Sequence, residues 1–390
     1  MKAVGVIAEY NPFHLGHAYH LERTREACPG RPVVAVMSGD YVQRGEAAVY
    51  NKHERARAAV LSGADLVLEL PLPWALSSAE GFARGAVGLL EALGVVDRLS
   101  FGSECGDMDK LQKIAEALDS PELDADISGH LKSGVSYAAA RHGALEKMLG
   151  KQARLAESPN NILGIEYLRA IRALDAPITA VTVTRTGAGH DERGTEAVRS
   201  ASEIRSIIRT GEDWSVFVPE TVYDALGGLS PLDSAMAMCA QLSRLRMLPP
   251  EVIARCPECS EGLENRICAA LETEPTLEDV LNSVKTRRYT MARLRRILLC
   301  AALGVERDMN SGVPPYARVL AANADGLRLL AEIRDTSGIP IVTKPAHGLR
   351  LEGRAGECFR LTARARALWS LARPGCPPDS DLRTPPFILK

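Results

Sequence analysis

The chain of 390 residues has no apolar run near the ~20 residues that cross a bilayer. Its first apolar stretch, "AVGVIA" at residues 3–8, meets Glu9 at once and makes a poor signal-peptide core. A cytoplasmic protein is expected. An excess of one charge is missing too, since 47 Lys and Arg stand against 49 Asp and Glu, a net charge of -2. Overall charge thus neither demands nor excludes a polyanionic partner, and local clustering must decide. The nine cysteines are scattered and odd in number, as reduced thiols are. Cys256 and Cys259 in "RCPECSEG" have metal-ligand spacing. No second CxxC or nearby His pair completes the four ligands of a zinc site, so chance spacing is the reading. Internal repeats and low-complexity tracts are absent, and a length of 390 suggests two domains.

What is present alternates regularly over the first ~105 residues. "AVGVIAE", "PVVAVM", "DLVLEL" and "RLSFG" read as strands. "LGHAYHLERTREA", "KHERARAAVLSG" and "SSAEGFARGAVGLLEALG" read as the helices between and around them. Short all-apolar strands alternating with amphipathic helices predict a parallel sheet covered on both faces, wound in both directions. Residues 107–173 read as mostly helical, and "APITAVTVTR", ending at Arg185, as a further strand. Helices then dominate, at 230–246, 261–273, 276–284, 287–303 and 325–335, with "IPIVTK" as one tempting strand. The Pro-rich tail from Pro374 reads as extended or poorly ordered. The expected organisation is an α/β domain over residues 1–215 and a mainly helical domain over 216–390.

The stretch "EYNPFHLGH", Glu9 to His17, follows the first strand directly. In a doubly wound sheet, ligands bind at the carboxyl ends of the strands where the order reverses, and the first strand usually lies there. Pro12 breaks the strand and His14 to His17 open a helix. A helix start offers unpaired N–H groups and a positive dipole end, which attract phosphate. His14 and His17 are three apart and share a helix face, where they can donate to phosphate oxygens and to a pyrophosphate leaving group. Gly16, without a side chain, leaves room for a flat purine, and Leu15 points to the core side. The bland alternative is a turn with two solvated histidines, and the position after strand one favours the functional reading.

HxGH in this place resembles the signature of the nucleotidyltransferase superfamily. With "AVMSGDYVQRGEAAVYNKHERARAAVLSGADLVLELP", "SAEGFARGAVGLL", "SFGSE", "SPNNILGIEYLRA" and "KTRRYTMARLRRIL", the chain resembles the bacterial tRNA(Met) cytidine acetate ligase family over most of residues 1–345. The resemblance implies that ATP activates acetate as acetyl-adenylate, which then acetylates N4 of the wobble cytidine (position 34) of elongator tRNA(Met), with Mg²⁺ assisting. It implies an ATP-binding segment at 6–19, with Ile7, Glu9, Asn11, Pro12, Phe13, His14, Gly16 and His17. It also implies nucleotide contacts at Gly102, at Asn160 or Asn161, and at Arg185. "SASEIR" resembles the superfamily's late phosphate motif, with Ser202 and Arg205 on phosphate, while Ser200 and Glu203 also read as a capping box.

Gln43, Arg44 and Lys52, after strand two, are expected along the acyl or pyrophosphate site, on the resemblance alone. Residues 285–296 hold six Lys or Arg and no acid. Lys285, Arg287, Arg288, Arg293, Arg295 and Arg296, with Tyr289 interleaved, read as a basic helix for an RNA backbone and a stacked base. His190 and Asp191, adjacent on a Gly-rich loop, carry little as a dyad. Met37 and Trp74 read as packing. No Ser–His or Cys–His pair is needed, because acetate itself attacks ATP. Catalysis then rests on positioning and charge neutralisation by His14, His17 and Arg205. Two other readings stay open: a small-molecule adenylyltransferase that joins AMP to a coenzyme precursor, and a nucleotide-sensing RNA binder.

Overall fold

A computed structural model of the chain describes residues 1–131, 135, 137–185 and 199–390. Among the described residues ten strands form: β1 (Ala3–Ala8), β2 (Val33–Ser38), β3 (Tyr41–Val42), β4 (Glu46–Ala47), β5 (Leu66–Leu70), β6 (Val96–Ser103), β7 (Thr179–Thr184), β8 (Ala317–Ala322), β9 (Ile341–Val342) and β10 (Phe387–Ile388). The main sheet runs β10-β8-β5-β2-β1-β6-β7, with β9 paired to β8, and β3 and β4 form a separate hairpin. β1 pairs in parallel with β2 on one side and β6 on the other. The chain winds outward from β1 in both directions, so the crevice at its carboxyl end is the switch point.

The strands are apolar throughout because both faces are covered. In β2 all six residues are buried, and alternate ones serve different cores. Val33, Ala35 and Met37 pack with Leu21 and Ala59 on one face. Val34 and Val36 pack with Phe82, Ala86 and Leu90 on the other. Met37 and Trp74 are fully buried packing residues, as expected. Helices start where their caps dictate. Asn51 accepts from the N–H groups of His53 and Glu54, Glu54 accepts from the Asn51 N–H, and the helix Lys52–Leu61 follows.

The C-terminal half departs from expectation. β8, unforeseen in the sequence, joins the sheet antiparallel to β5, with all six residues buried. The tail is ordered: Phe387 and Ile388 of β10 pair with Ala321 and Ala322 of β8. Asp381 is fully buried and bonds Lys52 Nζ at 2.9 Å and Arg318 at 2.8 Å, while Lys52 also reaches Glu69 at 2.7 Å. The sheet is therefore not confined to residues 1–215. Tyr41, Leu72 and Leu76 share a core with the helical residues Leu245, Ile267 and Ile297 and with Trp369, so packing is continuous across the expected boundary.

Candidate active site

The crevice at β1 is built from the helix Leu15–Ala27 upward. His14 is its N-cap, and its Nδ1 accepts the Gly16 N–H at 3.0 Å. His17 Nδ1 accepts the His14 N–H at 3.2 Å, so the two imidazoles close a reciprocal capping box. Their rings stack with centroids 3.8 Å apart. An Nδ1 that accepts a backbone N–H carries no proton, so each neutral ring bears its hydrogen on Nε2. Burial, aided by the charges of Arg185 and Arg205, brings His14 down to about 4. Burial, with His14, Arg185 and His20 adding to it, holds His17 well below the ordinary range. Both are neutral Nε2–H donors at physiological pH. A Cβ on Gly16 would lie 2.9 Å from the His14 ring, so this glycine makes room for the imidazole. Leu15, expected on the core side, is half-buried and lies outside the main clusters.

On the β6–β7 side, Arg185 lies against Gly102, where a Cβ would sit 3.2 Å from the Arg185 Cγ. Its guanidinium reaches Asn160 Oδ1 at 3.4 Å. The neighbouring asparagines divide their work. Asn161 is buried, and its Oδ1 accepts the N–H groups of Glu104 and Cys105 at 2.9 and 3.2 Å, fixing the turn after β6. Asn160 is half-buried beside Arg185, and its Nδ2 donates to Glu104 Oε1 at 2.7 Å.

On the other side, Arg205 is buried, donates to the Asn11 carbonyl at 2.9 Å and lies 3.9 Å from Glu46. Ser200 caps the helix Ala201–Thr210 through the foreseen box with Glu203, and Ser202 is exposed beside it. Asn11 Oδ1 accepts the Val49 N–H at 2.9 Å, while its Nδ2 is buried with no partner among the described residues. Burial raises the Glu9 carboxyl above its ordinary range. The Gln43 N–H, bonded to it at 2.9 Å, and the cations Arg205, Arg44 and Arg55 pull it part of the way back. Ile7 is half-buried, whereas Pro12 and Phe13 are buried and Phe13 belongs to the core. Phe13 therefore shapes the turn through its packing on Tyr10 and His17.

Sequence reasoning missed three contributors. Arg55 is fully buried and donates to the carbonyls of Glu9, Ser38 and Gly39, clamping the ends of β1 and β2 together. His20, brought down to about 4 by burial and then Arg185, bonds Ser100 Oγ at 3.1 Å. The third is Glu46, which pairs with both Arg205 and Arg295. The spacing His14, His17, His20 was a readable signal for the second; nothing local marked the others.

Other expectations are corrected. Lys52 does not face the site, since it is fully buried in its carboxylate pairs. The basic stretch is not one helix: the helix Leu277–Val284 ends at Lys285, and the next starts at Met291. Tyr289 is buried in the helical core beneath Arg293 and offers no stacking face. Arg296 is buried in a two-bond pair with Glu258 at 2.8 and 3.0 Å, Arg293 donates to the Glu258 carbonyl, and Arg288 pairs with Glu261. Lys285 and Arg287 are exposed. His190, Asp191 and their Gly-rich loop lie outside the described residues. No group of three or more His, Cys, Asp or Glu among the described residues could hold a metal ion.

A switch-point crevice with neutral, reciprocally capped histidines between two arginines offers donors and positive charge to an anion, as a nucleotidyl transferase requires. The family described as HIGH Nucleotidyl Transferase matches residues 1–381, and the chain belongs to it. Within that class the chain is a member of the tRNA(Met) cytidine acetate ligase family. It is 42% identical to the tRNA(Met) cytidine acetate ligase of Acetivibrio thermocellus over 366 residues, 88% of each chain. It is 35% identical to that of Clostridium kluyveri over 411 aligned positions, covering 100% of this chain and 99% of the relative. The crystal structure of Thermotoga maritima TmcAL bound with alpha-thio ATP matches with a TM-score of 0.92 at 32% identity, covering 100% of both chains.

Proposed function

We propose that the chain uses ATP to activate acetate as acetyl-adenylate and then acetylates N4 of the wobble cytidine, position 34, of elongator tRNA(Met). The observation that carries this reading is the His14–His17 pair, held as two neutral Nε2–H donors between Arg185 and Arg205. A relative of the same fold is bound with alpha-thio ATP, and curated relatives are named for the tRNA reaction.

In the first step an acetate oxygen attacks the α-phosphorus, a new P–O bond forms, and pyrophosphate leaves. His14 and His17 donate to oxygens that gain charge, while Arg205 neutralises the leaving group. Ile7, Gly102, Asn160, Arg185 and the Glu9–Phe13 backbone hold the nucleoside and α-phosphate side, and Ser202 the outer phosphates. Mg²⁺ would arrive on the triphosphate, which needs few protein ligands. In the second step N4 attacks the acetyl carbonyl, AMP leaves, and N4 releases a proton to solvent. The anhydride must be kept from water until the base enters. Lys285 and Arg287 are the exposed basic residues of this stretch left for the tRNA backbone, Arg295 being paired with Glu46, and the reaction takes place in the cytoplasm.

Isotope exchange between pyrophosphate and ATP, with and without acetate, tests this. Acetate-dependent exchange is expected, followed by N4-acetylcytidine in bulk tRNA. Exchange that ignores acetate but responds to a phosphorylated coenzyme precursor would replace this reading with that of a small-molecule adenylyltransferase.

A further inference from the structure

A cavity of about 250 Å³ lies between the β3–β4 hairpin and the helices of the C-terminal half. Two elements join it to the adenylate site. The hairpin presents Gln43 to Glu9, while Glu46 and Ala47, on its second strand, line the cavity. The helix Ala201–Thr210 carries Arg205 on the Asn11 carbonyl, and Arg209, one turn further on the same face, lines the cavity. Glu46 stands between them, paired with Arg205 at 3.9 Å and with Arg295.

The walls are fixed. Gly45, at φ +76, brings the hairpin so close to the helix Met291–Leu303 that a Cβ would lie 2.6 Å from the Arg296 nitrogen. Trp369 donates from Nε1 to the Ala48 carbonyl at 2.9 Å. The lining includes the apolar Leu277, Leu281, Leu298 and Leu368. It also offers half-buried Gln241, whose carboxamide has no hydrogen-bond partner among the described residues, and the carboxylates of Glu46 and Glu278. Arg209 and Arg295 form a basic rim.

We infer that this cavity receives the unstacked acceptor base of the RNA, a cytosine presented with its N4 amine toward Glu46. The assignment rests on the acetyl transfer proposed above. A pocket for acetate or phosphate would not carry two carboxylates, whereas an exocyclic amine is a donor that a carboxylate accepts. A carboxamide can both donate and accept on the base edge, and apolar walls hold the flat ring out of water. The basic rim suits the flanking phosphates, which position without specifying.

The test uses Ala237→Phe, which fills the cavity from a half-buried wall position, and Gln241→Leu, which keeps size and removes the carboxamide. Both are assayed for acetate-dependent pyrophosphate exchange and for transfer of labelled acetate to bulk bacterial tRNA. Exchange is expected to stay within about twofold of the parent, while transfer falls about tenfold in Gln241→Leu and further in Ala237→Phe. Undiminished transfer in both variants would overturn the assignment. So would loss of exchange in step with transfer in variants that remain folded, since the cavity would then serve adenylation. A parent protein that exchanges without acetate, or makes no N4-acetylcytidine, would instead fail the underlying reading, and the cavity assignment would fall with it.

Discussion

His14 and His17 cap one another: each Nδ1 accepts a backbone N–H of the same turn, and the rings stack at 3.8 Å. Structure and chemistry thus share the same two rings but use different nitrogens, and substitutions can separate them. Asn at position 14 can still cap the helix but lacks the Nε2–H donor. His14→Asn should keep the parent stability and lose about 100- to 1000-fold in exchange rate. His14→Ala should lose the rate and about 1 kcal/mol of stability as well. Exchange kinetics beside urea melts decide this, and an active His14→Asn would refute the donor role.

The same burial sets a pH dependence. His14, His20 and His53 are each brought down to about 4, burial being the largest cause in all three. Between about pH 6.5 and 4 the unfolded chain therefore takes up protons that the folded chain refuses. Stability is full above about 6.5 and falls with decreasing pH, by up to about 1.4 kcal/mol per pH unit for each histidine. Urea midpoints at pH 7 and pH 5 should differ in that direction. The acid limb of kcat/KM for exchange should show no break near 6.5. Equal midpoints would contradict the buried neutral histidines.

Asp381 ties the tail to the sheet through Lys52 and Arg318, all three buried. Removing one partner leaves buried charge uncompensated, so Asp381→Ala should cost about 3–5 kcal/mol. Hydrogen exchange at Phe387 and Ile388 should rise with it. Lys52→Met should destabilise in the same way yet leave the KM for ATP unchanged in the folded fraction; a raised KM would return Lys52 to the phosphate site.

The adjacent asparagines should part company. Asn161→Ala strips two backbone N–H groups of their acceptor and should cost about 1–3 kcal/mol. Asn160→Ala should leave stability near the parent value and raise the KM for ATP. Thermal melts and initial rates measured together would show a reversal at once.

For tRNA, exposed Arg287 and buried Tyr289 make opposite predictions. Arg287→Ala should weaken binding and lower the salt slope by about one. Tyr289→Phe should leave binding unchanged. Titrations at several salt concentrations measure both, and a binding defect in Tyr289→Phe would show that the hydroxyl reaches the RNA.

The sequence by itself determined the winding of the first half and the helix start that opens the crevice at β1. Those signals are local: apolar strands with helical periodicity between them, Pro12 to stop β1, and His14 and His17 at one helix start. The capping box at Ser200 was legible for the same reason. What the tertiary structure alone decided is which charges are spent on the fold and which face the crevice. Lys52 and Arg205 look alike in sequence, yet one is neutralised by Asp381 from the far end of the chain and the other reaches the end of β1. Tyr289 reads as a stacking platform until the helical core closes over it. β8 reads as any short apolar run until β5 offers it an edge. A pairing partner hundreds of residues away leaves no trace in local pattern, because burial and charge compensation are set by what the fold brings alongside.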